Sequence, residues 1–151
     1  MMMTMKKIML ALTLNALVFF AAATAFAHCE IPCGIYDDPL RIQLLREHIT
    51  TMEKSMKTIQ ALEKSVSHHA HMLIRWVANK EEHANKFQEI VTQYFMTQRI
   101  TPEDKHYDKK IQALHEMLIF AMKCKQTTDL AHIETLRKLV DEFEGLYFEK
   151  K

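Results

Sequence analysis

The chain has 151 residues, 48% of them apolar and 26% charged, with a formal net charge of +1 at neutral pH. That length suits one domain with a modest core, and so even a charge balance excludes the strongly basic surface that nucleic-acid binding requires. Two glycines and three prolines, in a background rich in Leu, Met, Glu, Lys, Gln and Ala, favour helix over sheet and predict an all-α fold.

In chain order, residues 1–27 come first. Lys6 and Lys7 precede an uncharged apolar run that closes on Ala25-Phe26-Ala27, the layout of a secretory signal peptide with an A-x-A site. Cleavage there makes His28 the first residue. The leader carries two lysines and no acid, so its loss moves the net charge from +1 to −1. The same run is long enough to span a hydrocarbon core as an uncleaved anchor; Thr13, Asn15, Thr24 and the alanine-rich end weigh against that. A lipid anchor at Cys29 is opposed by the bulky His28 before it. The expected protein is exported, to the periplasm or the medium, and free of the membrane after cleavage; a leader that is only a propeptide would leave it cytoplasmic.

Residues 28–38 form a separate short segment, discussed below, and residues 39–151 form the body. Asp38-Pro39 is a helix start, with a carboxylate for an orphan N–H and a proline for the first turn. Leu45, Ile49, Met52, Met56, Ile59, Leu62 and Val66 then alternate steps of three and four, one buried helical stripe. The polar patch Ser65-Val66-Ser67-His68-His69-Ala70-His71 is expected to break it, with a turn near Ser67 to His71, because one helix from Pro39 to Thr97 would run about 90 Å. A second stripe follows through Leu73, Val77, Ala84, Phe87, Val91 and Tyr94, with Trp76 read as core beside it. Thr101-Pro102-Glu103-Asp104 predicts a third start, whose stripe is Ile111, Leu114, Leu118 and Met122. After Thr128 or Asp129 as cap, Leu130, Ile133, Leu136, Val140, Phe143 and Tyr147 face one way. Four helices with short links predict an up-and-down four-helix bundle preceded by an irregular N-terminal hook.

The chemistry concentrates ahead of the bundle. After cleavage, His28-Cys29-Glu30-Ile31-Pro32-Cys33-Gly34 offers an α-amine, an imidazole and two thiols within a few residues. The amine gives up its proton to a metal readily near neutral pH, and thiolate donors suit a softer or more oxidised transition metal. Pro32 fixes one backbone angle and Gly34 is free to adopt others, so the segment between the sulfurs can fold back. A Cys29–Cys33 disulfide, favoured by an oxidising compartment, competes with this reading. A zinc site does so less well, for only three conventional side-chain ligands lie nearby.

The segment His-Cys-Glu-Ile-Pro-Cys-Gly-Ile-Tyr, residues 28–36, resembles the nickel-hook signature His-Cys-x-x-Pro-Cys-Gly-x-Tyr of nickel-containing superoxide dismutases, with every fixed position present. The resemblance implies that the terminal amine and backbone of the first two residues, with the thiolates of Cys29 and Cys33, hold one nickel ion per subunit, and that the His28 imidazole is an axial ligand. It implies that Tyr36 stands over the open face of the site, with Glu30 and Pro32 in its surroundings. In relatives a carboxylate on the first helix and an arginine on the second orient the axial imidazole; here Gln43 and His83 are expected in those places. The resemblance further implies a substrate, superoxide, disproportionated through a Ni(III)/Ni(II) cycle, a homohexamer of four-helix subunits, a leader-processing protease and a nickel-delivery factor. The alternative from a different class is a non-enzymatic secreted bundle whose N-terminus carries a disulfide or an inert metal.

Other candidates carry less. His68, His69 and His71 are metal-capable but also read as a solvated helix junction. Cys124 reads as a lone thiol, and His106, His115 and His132 receive no role. Gly-rich phosphate loops and Ser-His-Asp patterns are not visible.

Overall fold

The computed structural model describes Met9 and residues 32–149. The chain divides into two units, Met1–Glu30 and Ile31–Lys151, and the helices described below belong to the second. Helix α1 runs Asp38–Leu62, a 3₁₀ turn follows at Glu63–Ser65, and α2 runs Val66–Glu89 before continuing as a π-helical segment, Ile90–Arg99; α3 is Tyr107–Gln126 and α4 is Ala131–Phe148.

Side-chain pairs between helices give the topology. On α1 and α2, His48 meets His83 and Ser55 meets Asn79. On α2 and α3, Asn85 meets Lys125 and Gln88 meets Leu118. On α3 and α4, Lys110 meets Tyr147 and Phe120 meets His132. Arg46 and Glu53 of α1 pair with Glu144 and Arg137 of α4. In each case one number rises as the other falls, so neighbours are antiparallel and the last helix returns to the first: an up-and-down four-helix bundle, as the pattern predicts.

The core is the inward side of the expected stripes. Leu45, Ile49, Met52 and Met56 pack with Phe87, Val91 and Phe95, with Leu114 and Met117, and with Ile133, Leu136, Val140 and Phe143, all fully buried. Burial of each such side chain contributes roughly 1.5–3 kcal/mol. Phe95, Phe143 and Tyr147 form an aromatic triad, with ring centres 4.9–5.5 Å apart.

Several expectations are corrected. The break between the first two helices lies at Glu63–Ser65, and Ser67 to His71 are already helical, because a tight 3₁₀ turn needs neither Gly nor Pro. The third helix starts at Tyr107 rather than near Thr101. Asp104 accepts from the Thr101 N–H and donates its own N–H to the Thr101 carbonyl, and His106 at φ 59° turns the chain before the helix begins. Val66, Val77 and Met122, assigned to buried stripes, are exposed. Trp76 is only half-buried, beneath the ammonium of Lys54. Among the described residues no helix is long and apolar enough to cross a membrane.

The first helix is capped by Asp37, whose carboxylate accepts from the Leu40 N–H at 3.1 Å. Asp38, the residue expected to cap, is therefore free to turn elsewhere.

Candidate metal centre

Pro32 to Ile35 form a tight turn closed by the Ile35 N–H on the Pro32 carbonyl at 2.6 Å. Gly34 sits at φ +80°, and a Cβ built there would meet nothing within 4 Å. The requirement for glycine is thus conformational: the third position of such a turn needs positive φ, which side chains resist. The turn presents Cys33 to solvent. His28, Cys29 and Glu30 lie outside the described residues, so of the expected ligands only Cys33 is placed. Among the described residues no three His, Cys, Asp or Glu side chains converge to hold a metal. An exposed cysteine on a folded-back turn suits a metal ligand, which must be reachable.

Immediately after the turn, the Tyr36 ring lies beneath the Arg99 guanidinium, 4.2 Å from its centroid, and meets Tyr94 edge to face at 5.8 Å. Behind them is the most heavily hydrogen-bonded side chain among the described residues. The Asp38 carboxylate accepts from Arg99 Nε at 2.8 Å and Nη2 at 2.7 Å, from the Tyr94 hydroxyl at 2.6 Å and from the Tyr147 hydroxyl at 2.9 Å. Burial alone would raise the Asp38 carboxyl, but the bonds from Arg99, Tyr94 and Tyr147 outweigh it and hold the group below its ordinary value. Burial first, and then the bond to Asp38, pushes the Tyr94 hydroxyl up to about 12 and raises that of Tyr147.

The π-helical segment makes this convergence possible. In an α-helix five residues rotate the face by about 140°, so Tyr94 and Arg99 would point apart. The i→i+5 pattern, visible in the Ile100 N–H bond to the Phe95 carbonyl at 3.0 Å, brings residues five apart back toward one side.

A cavity of about 240 Å³ lies beside the turn, lined by Pro32 with Arg41, His48, Lys86, Gln93 and Tyr94 among others. Arg41 stacks over Tyr94 at 4.9 Å, and its buried Nε has no hydrogen-bond partner. His48 and His83 are hydrogen-bonded through their Nδ1 atoms, 3.0 Å apart. Burial, followed by the charge of His83, lowers the His48 imidazole.

A family model described as nickel-containing superoxide dismutase matches residues 23–151. The chain belongs to the nickel-containing superoxide dismutase family. No curated protein and no solved structure matched it. As a member of that family it is a superoxide-dismutating oxidoreductase with nickel as its metal and superoxide as its substrate.

Within this dismutase the structure places the remaining expected residues as follows. Pro32 opens the turn and lines the cavity. Gln43 is exposed on α1, whereas His83 is half-buried and bonded to His48, so the two are not brought together. His68, His69 and His71 are exposed on the first turns of α2, with His68 Nδ1 near the Ser65 and Ser67 hydroxyls. Cys124 is a buried thiol whose ionisation burial pushes up to about 11.

Sequence reasoning missed Asp38, Arg99, Tyr94 and Tyr147 as a group. One signal was available: a tyrosine on a core stripe needs a partner for its hydroxyl, and both stripes that end near the hook carry one.

Proposed function

We propose that the mature chain begins at His28 and that its terminal amine and adjoining backbone, its imidazole, and the Cys29 and Cys33 thiolates hold one nickel ion per subunit. What supports this reading is membership of the nickel-containing family, whose model matches residues 23–151, together with the reversed turn that sets Cys33 at the surface. When bound, nickel supplies one-electron exchange between Ni(III) and Ni(II), which amide and thiolate donors bring into reach of superoxide. Two superoxide ions and two protons become one dioxygen and one hydrogen peroxide.

The chain's own residues supply the rest. Tyr36, wedged against Arg99 and Tyr94, narrows access and orders solvent through its hydroxyl. Arg41, with no carboxylate partner among the described residues, adds positive potential beside the turn and attracts a small anion. Pro32 and Gly34 hold the reversal that returns Cys33 toward the terminus. Of the two residues expected where relatives keep the partners of the axial imidazole, His83 on the second helix is held by His48 and Gln43 lies exposed on the first, and Glu30 contributes through its backbone. An exported, homohexameric protein completes the reading, with leader removal obligatory because an uncut chain has no amine at His28. Exposed Val66, Met72, Ile74 and Val77 supply apolar surface for contact between subunits.

The test compares chain 28–151 bearing an exact His28 terminus with the same chain carrying one extra N-terminal residue, both loaded with nickel. Dismutation by the exact chain alone is the expected result. Equal activity in both would remove the amine from the ligand set, and inactivity of both despite bound nickel would leave a metal-carrying bundle without turnover.

A further inference from the structure

We infer that Asp38 is a positioning residue for the hook, holding the Tyr36 ring in place through the Arg99 guanidinium and the Tyr94 side chain. That Tyr36 serves the reaction rests on the function proposed above; that Asp38 sets its place rests on geometry alone.

Tyr36 is 38% exposed and outside the core. Its ring touches two groups, the face of Arg99 and the edge of Tyr94, and both end on the same carboxylate. Arg99 approaches Asp38 through Nε and Nη2, one to each oxygen. That two-point grip fixes the plane of the guanidinium as well as its position, which a single bond would not. Because the plane is fixed, so is the surface against which the Tyr36 ring lies. Tyr94 is fixed by its own bond to the oxygen that also takes Arg99 Nε.

Asp38 is not needed for the usual task of an acid at this position, since Asp37 already caps the helix. Its side chain is only 16% exposed, a costly place for a carboxylate unless its lone pairs are filled, and here they accept four bonds. The donors come from the π-helical segment and from α4, so the carboxylate joins the first, second and last helices directly behind the hook. A plain fold-stabilising role predicts that loss of Asp38 lowers melting temperature and nothing else. Positioning predicts a specific change at Tyr36.

The experiment reads the Tyr36 ring by NMR in the full chain, purified as it accumulates in the cell, with labelled tyrosine and Tyr36→Phe to assign the signal. In the parent, the neighbouring Tyr94 ring shifts the Tyr36 signal away from that of free tyrosine. In Asp38→Ala and Arg99→Lys the signal moves to the free position while core phenylalanine signals stay, and Asp38→Glu restores part of the shift. With nickel content unchanged, dismutation slows about tenfold, the scale of losses from groups one layer behind a metal's ligands. An unmoved Tyr36 signal in folded Asp38→Ala overturns the inference. Should that variant fail to fold, Arg99→Lys, which keeps the charge and loses the fork, decides by the same signal. A parent without dismutase activity would defeat the proposed function and leave the ring signal to judge this inference separately.

Discussion

At the end of the bundle where α1 begins, one carboxylate gathers two tyrosines and an arginine and sets a third tyrosine against them. At the opposite end, where α1 gives way to α2, no residue from Gln60 through Asn79 is buried. What closes that far end is main chain: the buried Lys80 ammonium donates to the Lys125 and Thr127 carbonyls at the end of α3, and the Gln60 amide donates to the Thr128 carbonyl. A cation on the carbonyl end of a helix is a general stabilising device. The hook end instead uses directional, side-chain-specific bonds. The difference teaches that this bundle gathers its buried side-chain bonds on one carboxylate where it must hold an irregular segment in register, and at the other end adds helix-terminal electrostatics to single side-chain bonds such as that of Asn79 to Ser55.

The largest effect separating the ends is chemical. Cys33→Ser is expected to remove nickel-dependent dismutation by more than about a hundredfold, beyond what groups behind the ligands cost, with the helical circular dichroism unchanged. Retained turnover would exclude Cys33 as a ligand and with it the functional distinction of this end.

Next comes the packing beneath the network. Phe95 touches both Phe143 and Tyr147 and is fully buried, so Phe95→Ala should cost about 3–5 kcal/mol in urea unfolding. A loss under about 1 kcal/mol would mean that the π-helical segment collapses onto the cavity and that the aromatic triad is not what secures this end.

A smaller effect is pH-dependent. The His48 imidazole is held below its ordinary value of 6.5 by burial and by the charge of His83. Above that value both folded and unfolded chains carry it neutral and it contributes nothing. As pH falls below 6.5, the unfolded chain takes up a proton the folded chain refuses, and stability drops. Melting temperatures measured from pH 7.5 down to 5.5 should therefore fall more steeply in the parent than in His48→Leu. Parallel curves would show that the pair carries no strain. Asp38 acts the other way along the scale: its lowered value gives stability present above 3.8 and lost on further acidification.

The smallest effect belongs to the far end. Ile74 is 69% exposed, and Ile74→Ser should change the stability of the monomeric fold by no more than about 0.5 kcal/mol. A larger loss that vanishes on dilution would place this surface in a contact between subunits.

How far the sequence reveals this architecture differs from residue to residue. Ile49, Met52, Met56, Phe87, Val91, Ile133 and Phe143 were legible because a buried face repeats with the helix and repetition is local. The start of α1 was legible to within one residue, although the capping role fell to Asp37. The start of α3 was not, because Asp104 closes its own turn with the same residue types that open a helix. The exposure of Val66 and Val77 was hidden as well: their spacing fits a stripe, and only the absence of a facing neighbour leaves them in water.

By itself the sequence determined the class of fold, the four helical faces and the turn at Pro32–Gly34, since periodicity, proline and a positive-φ glycine act over a few residues. The hook motif, too, is a matter of order and spacing within nine residues. Only the tertiary structure decided that Asp38 faces Arg99, Tyr94 and Tyr147. Those partners lie 56 to 109 residues away, and two of them share a face only because the helix that carries them widens to i→i+5 bonding. No local rule announces that widening; it arises where packing against the other helices makes the wider turn the one that fills the space.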